Sequence, residues 1–172
     1  HVYTTVGDVA HAIRDMVVRG APAIGITAAF GVVIAARQRY QDNPESWQQE
    51  IETDLDTLAA SRPTAVNLFW AIDQMRACFA QINGDPVPAL LAEAKKIHDE
   101  DIAANKAMGD FGASLIQAGS SVLTNCNAGA LATGGYGTAL GVIRSAYAQN
   151  RPQEGLADES RPWLQGARLK AW

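Results

Sequence analysis

GSSVLTNCNAGALATGGYGTALGVIRSAYAQN, residues 119–150, is the stretch that decides the fold. Upstream of it the periodic segments are helical. Within it, SSVLTNCN (residues 120–127) reads as a short buried strand ending at Asn125-Cys126. A turn carrying Gly129, Gly134, Gly135 and Gly137 follows, and YGTALGVIRSAYAQ then has the pattern of a helix. Further on, GLAD (residues 155–158) reads as a second short strand and RPWLQGARLKAW (residues 161–172) as a second helix. Strand, glycine turn, helix, strand, helix is the opening of a parallel α/β sheet. In such sheets function sits at the carboxyl ends of the strands, and Cys126 falls at that edge.

The residues before this stretch read as a mainly helical domain over 1–118, and 119–172 as the start of a Rossmann-like parallel α/β domain. Val9, Ile13, Met16 and Val17 recur at helical spacing, with Thr5 and Asp8 placed as a capping box. APAIGITAAFGVVIAA, residues 21–36, is apolar nearly all round. It is shorter than the roughly 20 residues of a bilayer span and reads as a buried core helix, with Pro22 in its first turn. Asn43-Pro44 reads as the cap of a helix whose stripe is Trp47, Ile51, Leu55 and Leu58. Thr64 is placed to cap the next helix. Asp85-Pro86 opens a further one, with Leu91, Ala94, Ile97 and Ile102 along one side.

The chain has 172 residues, 48% hydrophobic and 19% charged, which supplies a sizeable core and argues against disorder. The net charge of −4 and the absence of a dense Lys/Arg run point away from a nucleic-acid partner. The two cysteines, Cys78 and Cys126, lie far apart without CxxC spacing, as thiols of a reducing, cytoplasmic compartment do. The N-terminal residues lack the basic-then-apolar pattern of a secretory signal, and none is expected. The glycine turn contains neither the dinucleotide G-x-G-x-x-G nor the P-loop pattern. It still allows close approach of backbone N–H groups ahead of a helix N-terminus, which suits a phosphate-bearing small molecule. A single cysteine is ordinarily a small buried hydrophobe. Cys78 fits that role inside an amphipathic helix, and position alone does not lift Cys126 out of it.

Four blocks carry a family resemblance: MVVRGAPAIGITAAFGVVIAA (16–36), SRPTAVNLFWAID (61–73), NCNAGALATGGYGTALGVIRSA (125–146) and ADESRPWLQGARLKAW (157–172). Together they resemble the methylthioribose-1-phosphate isomerases. That family sits in a wider group with the regulatory α, β and δ subunits of initiation factor 2B and with ribose-1,5-bisphosphate isomerases. The resemblance implies an aldose–ketose isomerisation of a small phosphorylated sugar in methionine salvage, with no cofactor and no metal, by a cytoplasmic homodimer with no membrane or nucleic-acid partner. It makes Cys126 the catalytic acid/base thiol, since a thiolate acts where a serine hydroxyl is far too weak a base. It carries substrate binding onto Arg19, Gly20, Ala21, Arg62 and Gln165. Guanidinium groups suit phosphate and sugar oxygens. Read plainly, Arg19 caps a helix C-terminus, Arg62 is a surface charge and His98 is a helix-surface residue.

The chain departs from the family pattern where isomerases commonly have His-Cys-Asn and this sequence has Asn125-Cys126-Asn127. The family's catalytic aspartate and a substrate-binding Asn-Lys pair belong to a later block. The expectation is therefore that residues 1–172 are inactive alone and are completed by a further segment or a second chain. Only two strands are found where an open parallel domain has about five or six. A non-catalytic initiation-factor-like subunit and a ribose-1,5-bisphosphate isomerase are the alternative functions.

Overall fold

The computed structural model describes residues 1–125 and 129–159. The chain divides into two compact units, His1–His98 and Asp99–Trp172.

The first unit is helical. It comprises α1 (Val6–Arg14), α2 (Ala21–Asp42), α3 (Trp47–Glu50), α4 (Glu52–Ser61), α5 (Val66–Ala77), a 3-10 turn (Phe79–Gln81) and the beginning of α6 (Val87–Leu115). Its centre is α2, which packs on α1, α3, α4 and α5. By length and composition α2 could cross a membrane, but 56% of its most apolar window is buried inside the protein, as in a core helix. Pro22 lies in its first turn, where the missing N–H has no intrahelical partner to lose. Gly31 lets α1 and α4 close on α2, since a Cβ there would stand 3.1 Å from Val9 and 3.2 Å from Leu58. Trp47, Ile51, Leu55 and Leu58 are all buried, the stripe expected from their spacing. The Trp47 and Phe79 rings meet edge to face at 5.2 Å between centroids.

Local signals set several ends as expected. The Asp8 N–H donates to the Thr5 hydroxyl at 3.2 Å, and that hydroxyl donates to the Asp8 carboxylate at 2.8 Å. The Val87 N–H donates to Asp85 Oδ1 at 3.0 Å as α6 begins.

Other ends differ. Helix α1 stops at Arg14, because Met16 takes a left-handed φ of 59°; Val17 is then exposed rather than part of the stripe. Asp15 is the C-cap of α1, and Arg19 lies four residues beyond it. Helix α2 runs on to Asp42, so Asn43 is its C-cap and folds an Asx turn, with its Oδ1 accepting from the Glu45 N–H at 3.1 Å. Thr64 does not cap α5. Pro63 sits at the second position of a turn closed by the Ala65 N–H to the Arg62 carbonyl (3.0 Å), which places Thr64 inside the turn and Ala65 at the N-cap.

The second unit holds the rest of α6, β1 (Ser121–Thr124), a 3-10 turn (Ala130–Ala132), α7 (Ala139–Ala148) and β2 (Glu154–Ala157). The strands pair in parallel, Ser121 opposite Glu154 through Thr124 opposite Ala157. A helical first part followed by the start of a parallel α/β arrangement is the fold class expected. The first strand, expected to be buried, is only partly so. Thr124 is buried, but Leu123 is 71% exposed and Leu156 46% exposed, because among the described residues β1, β2 and α7 do not enclose both faces of the sheet. Helices α6 and α7 meet where Gly109 and Gly112 stand: a Cβ on either would come within 2.8 Å of α7 side chains, Ser145 and Val142.

Candidate functional site

In the first unit, the two arginine-bearing blocks lead into helices that meet near their starts. Arg19 lies between α1 and α2, Gly20 is the N-cap of α2 and Ala21 its first residue. Gly20 has φ 100°, a conformation that side-chain-bearing residues rarely adopt, so the turn from Arg19 into α2 depends on glycine. Arg62 is the C-cap of α4, half-buried, three residues before the N-cap of α5. The contact between α2 and α5 is made at Gly25, where a Cβ would come within 2.7 Å of the Asn67 carbonyl oxygen. Neither helix start is capped by a side chain. Two helix N-termini thus carry partial positive charge at neighbouring places, each reached through an arginine, which is a favourable setting for an anion.

In the second unit, the glycine turn is fixed from α6. Asp101 Oδ2 accepts the Gly134 N–H at 2.7 Å and the Asn105 side-chain amide at 2.9 Å. That amide also reaches the Gly135 carbonyl at 3.5 Å. The Thr133 hydroxyl lies 3.1 Å from the same carbonyl and accepts the Gly135 N–H at 3.2 Å. The next residue, Tyr136, is held in a left-handed conformation with φ 72°. The Ser145 hydroxyl donates to Asp110 Oδ1 at 3.0 Å, so the Tyr136 phenol supplies the proton of its own 2.6 Å bond to Ser145. The Arg144 guanidinium stands over the Tyr136 ring, 5.0 Å from its centroid.

Cys126 and Gln165 lie outside the described residues. Asn125, the neighbour of Cys126, is exposed at the end of β1. Asp101, Asn105 and Asp110 were not singled out from the sequence. Their signal is present there: Asp101, Asn105, Gly109 and Gly112 recur at three- and four-residue steps, so polar and small residues share one helix face. The apolar stripe of the same helix masked it. Among the described residues no group of three or more His, Cys, Asp and Glu side chains is placed to hold a metal ion.

A family profile described as "Initiation factor 2 subunit family" matches residues 17–172. The methylthioribose-1-phosphate isomerase of Methylococcus capsulatus is 57% identical over 171 residues, covering 99% of this chain and 49% of its own. The crystal structure of 5-methylthioribose 1-phosphate isomerase from Pyrococcus horikoshii superposes with a TM-score of 0.88 at 41% identity, over 99% of this chain and 49% of that one. The δ subunit of translation initiation factor eIF-2B from A. fulgidus superposes with a TM-score of 0.87 at 40% identity, over 100% of this chain and 51% of that one. The chain spans about half the length of the relatives it matches.

Proposed function

From the premise that the chain belongs to the initiation factor 2 subunit family, we propose that it forms part of an aldose–ketose isomerase acting on 5-methylthioribose 1-phosphate. The observation that carries this reading within the structure is the meeting of α2 and α5 at Gly25 and Asn67, two uncapped helix starts each entered through an arginine. That arrangement suits the substrate's phosphate. The 57% identity to an isomerase extends over nearly the whole chain and supports the same reading.

The reaction is an internal rearrangement. The bond from C1 to the ring oxygen breaks and that oxygen takes up a proton. The hydrogen on C2 passes to C1, the C2 hydroxyl gives up its proton and C2 becomes the ketone. The formula is unchanged, so no external oxidant or reductant is consumed. Because C1 carries a phosphate ester, the ring does not open as a free sugar does. In this reading Cys126 is the acid/base thiol, Arg19 and Arg62 hold phosphate or sugar oxygens, Gly20 and Ala21 offer backbone contacts, and Gln165 binds the sugar. The glycine turn after Cys126 excludes water from the intermediate. The reading also takes 1–118 as a helical domain and 119–172 as the beginning of the catalytic one, in a cytoplasmic homodimer.

The δ-subunit likeness supports a second reading, a non-catalytic binding subunit. Turnover of methylthioribose 1-phosphate and ribose 1,5-bisphosphate by the complete polypeptide separates the possibilities. Turnover of the first sugar is the expected result. Preference for the bisphosphate transfers the assignment to that sugar, and binding without turnover selects the regulatory reading.

A further inference from the structure

We infer that Asp101 is a positioning residue, which fixes the glycine turn that follows Cys126 in the sequence through the Gly134 N–H and Asn105; the inference rests on the isomerase reading for its catalytic consequence.

The turn needs an external anchor. Four glycines within residues 129–137 give its backbone wide freedom, yet Tyr136 and Gly137 both adopt left-handed conformations, φ 72° and 91°. The anchoring comes from one face of α6. Asn105 is 3% exposed, and its amide bridges the Asp101 carboxylate and the Gly135 carbonyl. The Asp101 carboxylate accepts both the Asn105 amide and the Gly134 N–H, and bonds to an ionised acceptor are the stronger kind. One helical turn further along, Gly109 leaves the space that the Tyr136 ring and the Ser145 hydroxyl fill, each 2.8 Å from where a Cβ would stand. Asp110 then closes the chain of bonds from Ser145 to the Tyr136 phenol. Residues 134–136 are therefore tied to a rigid helix at two successive places. The segment they belong to begins three residues after Cys126 in the sequence, and the isomerase reading makes that segment part of the site. A misplacement of about 1 Å in such a segment can cost ~100-fold in rate.

The test compares Asp101→Leu, Asp101→Asn and Asn105→Ala with Leu58→Ala, a buried change in the first unit, in the complete polypeptide. Amide hydrogen exchange and isomerase kinetics are read well below each unfolding midpoint. Asp101→Leu is expected to speed exchange over residues 129–137 while α1–α5 keep their protection, and to lower kcat by ~10- to 100-fold. Asp101→Asn keeps an acceptor for the Gly134 N–H and is expected to recover most of that loss. Asn105→Ala retains the carboxylate and is expected to fall between the two. It decides the matter should the leucine variant not fold. Leu58→Ala is expected to lose stability but keep kcat. Unchanged exchange in the turn, or a kcat that tracks stability alone across all four variants, overturns the inference. A wild-type protein that does not turn over the sugar overturns the isomerase reading instead, while the exchange measurement still decides the anchoring.

Discussion

Gly25 of α2 stands against the backbone of Asn67 in α5, close enough that a methyl group would come within 2.7 Å of the carbonyl oxygen. The obstacle is backbone rather than the yielding end of a side chain. Gly25→Ala must therefore push α5 away, and overpacking of this kind costs about 1–3 kcal/mol. That exceeds the helix-propensity gain of roughly 1 kcal/mol from replacing glycine. Urea denaturation is expected to show a lower midpoint, and a midpoint at or above wild type contradicts the close approach.

The carboxylate of Asp54 accepts two bonds from Arg39, at 2.6 and 3.1 Å, joining α4 to the last turn of α2. Asp54 is buried while the Arg39 side chain is 31% exposed. The hydrogen bonds to Asp54 push the Arg39 guanidinium above its ordinary pKa. Solvent weakens the pair on the arginine side, so Asp54→Ala is expected to cost about 1–2 kcal/mol rather than the full value of a buried charge pair. Thermal unfolding measures it, and an unchanged midpoint removes the pair as a support of the fold.

Thr124 closes β1 with a buried hydroxyl that has no hydrogen-bond partner among the described residues. An unsatisfied hydroxyl costs about 1–3 kcal/mol in protein interiors. Thr124→Val keeps the shape and removes the orphan, so the chain is expected to gain roughly 1 kcal/mol. A loss of stability in denaturant titration shows that the hydroxyl is engaged in solution.

Burial, with Glu93 nearby, pushes the Cys78 thiol up from its ordinary value, and Lys96 offsets part of the rise. The folded chain holds this proton more tightly than the unfolded chain. The linked stability is complete below the unfolded thiol pKa and falls as pH rises through the folded one. In a Cys126→Ser background, alkylation of Cys78 is expected to begin at higher pH than that of a free cysteine peptide. Onset at or below the peptide's pH contradicts this account.

Cys126→Ser is expected to fold as wild type and to lower kcat on methylthioribose 1-phosphate by ~10² or more in the complete polypeptide, the contribution of a positioned acid–base group. Steady-state kinetics with circular dichroism as the folding control provide the measurement. Near-normal turnover takes Cys126 out of the mechanism.

Much of this architecture is written locally. The Thr5 and Asp85 caps, the apolar length of α2 and the strand–helix–strand order after residue 119 depend on neighbours a few positions away, and they occur where spacing places them. The misread ends depend on contacts or turns that spacing does not encode. Met16 leaves α1 in a left-handed conformation, and Pro63 draws Thr64 into a turn instead of a cap. The exposure of Leu123 and Leu156 reflects what covers a sheet, which two strands' own sequences do not state. The anchoring of the glycine turn was hidden for a related reason. Asp101 and Asn105 look like ordinary surface residues of a long helix until the turn, some thirty residues later, folds back onto them.

The parallel pairing has a consequence in time. Ser121 finds its partner in Glu154, 33 positions further along the chain. At a synthesis rate of about 5–20 residues per second, β1 leaves the ribosome roughly 2–7 seconds before that partner does. Throughout the interval the backbone edge that pairs with β2 is open, while α6 is already complete. The newborn chain is thus most exposed to wrong pairing in this window, and any chaperone that protects it has only these few seconds in which to act.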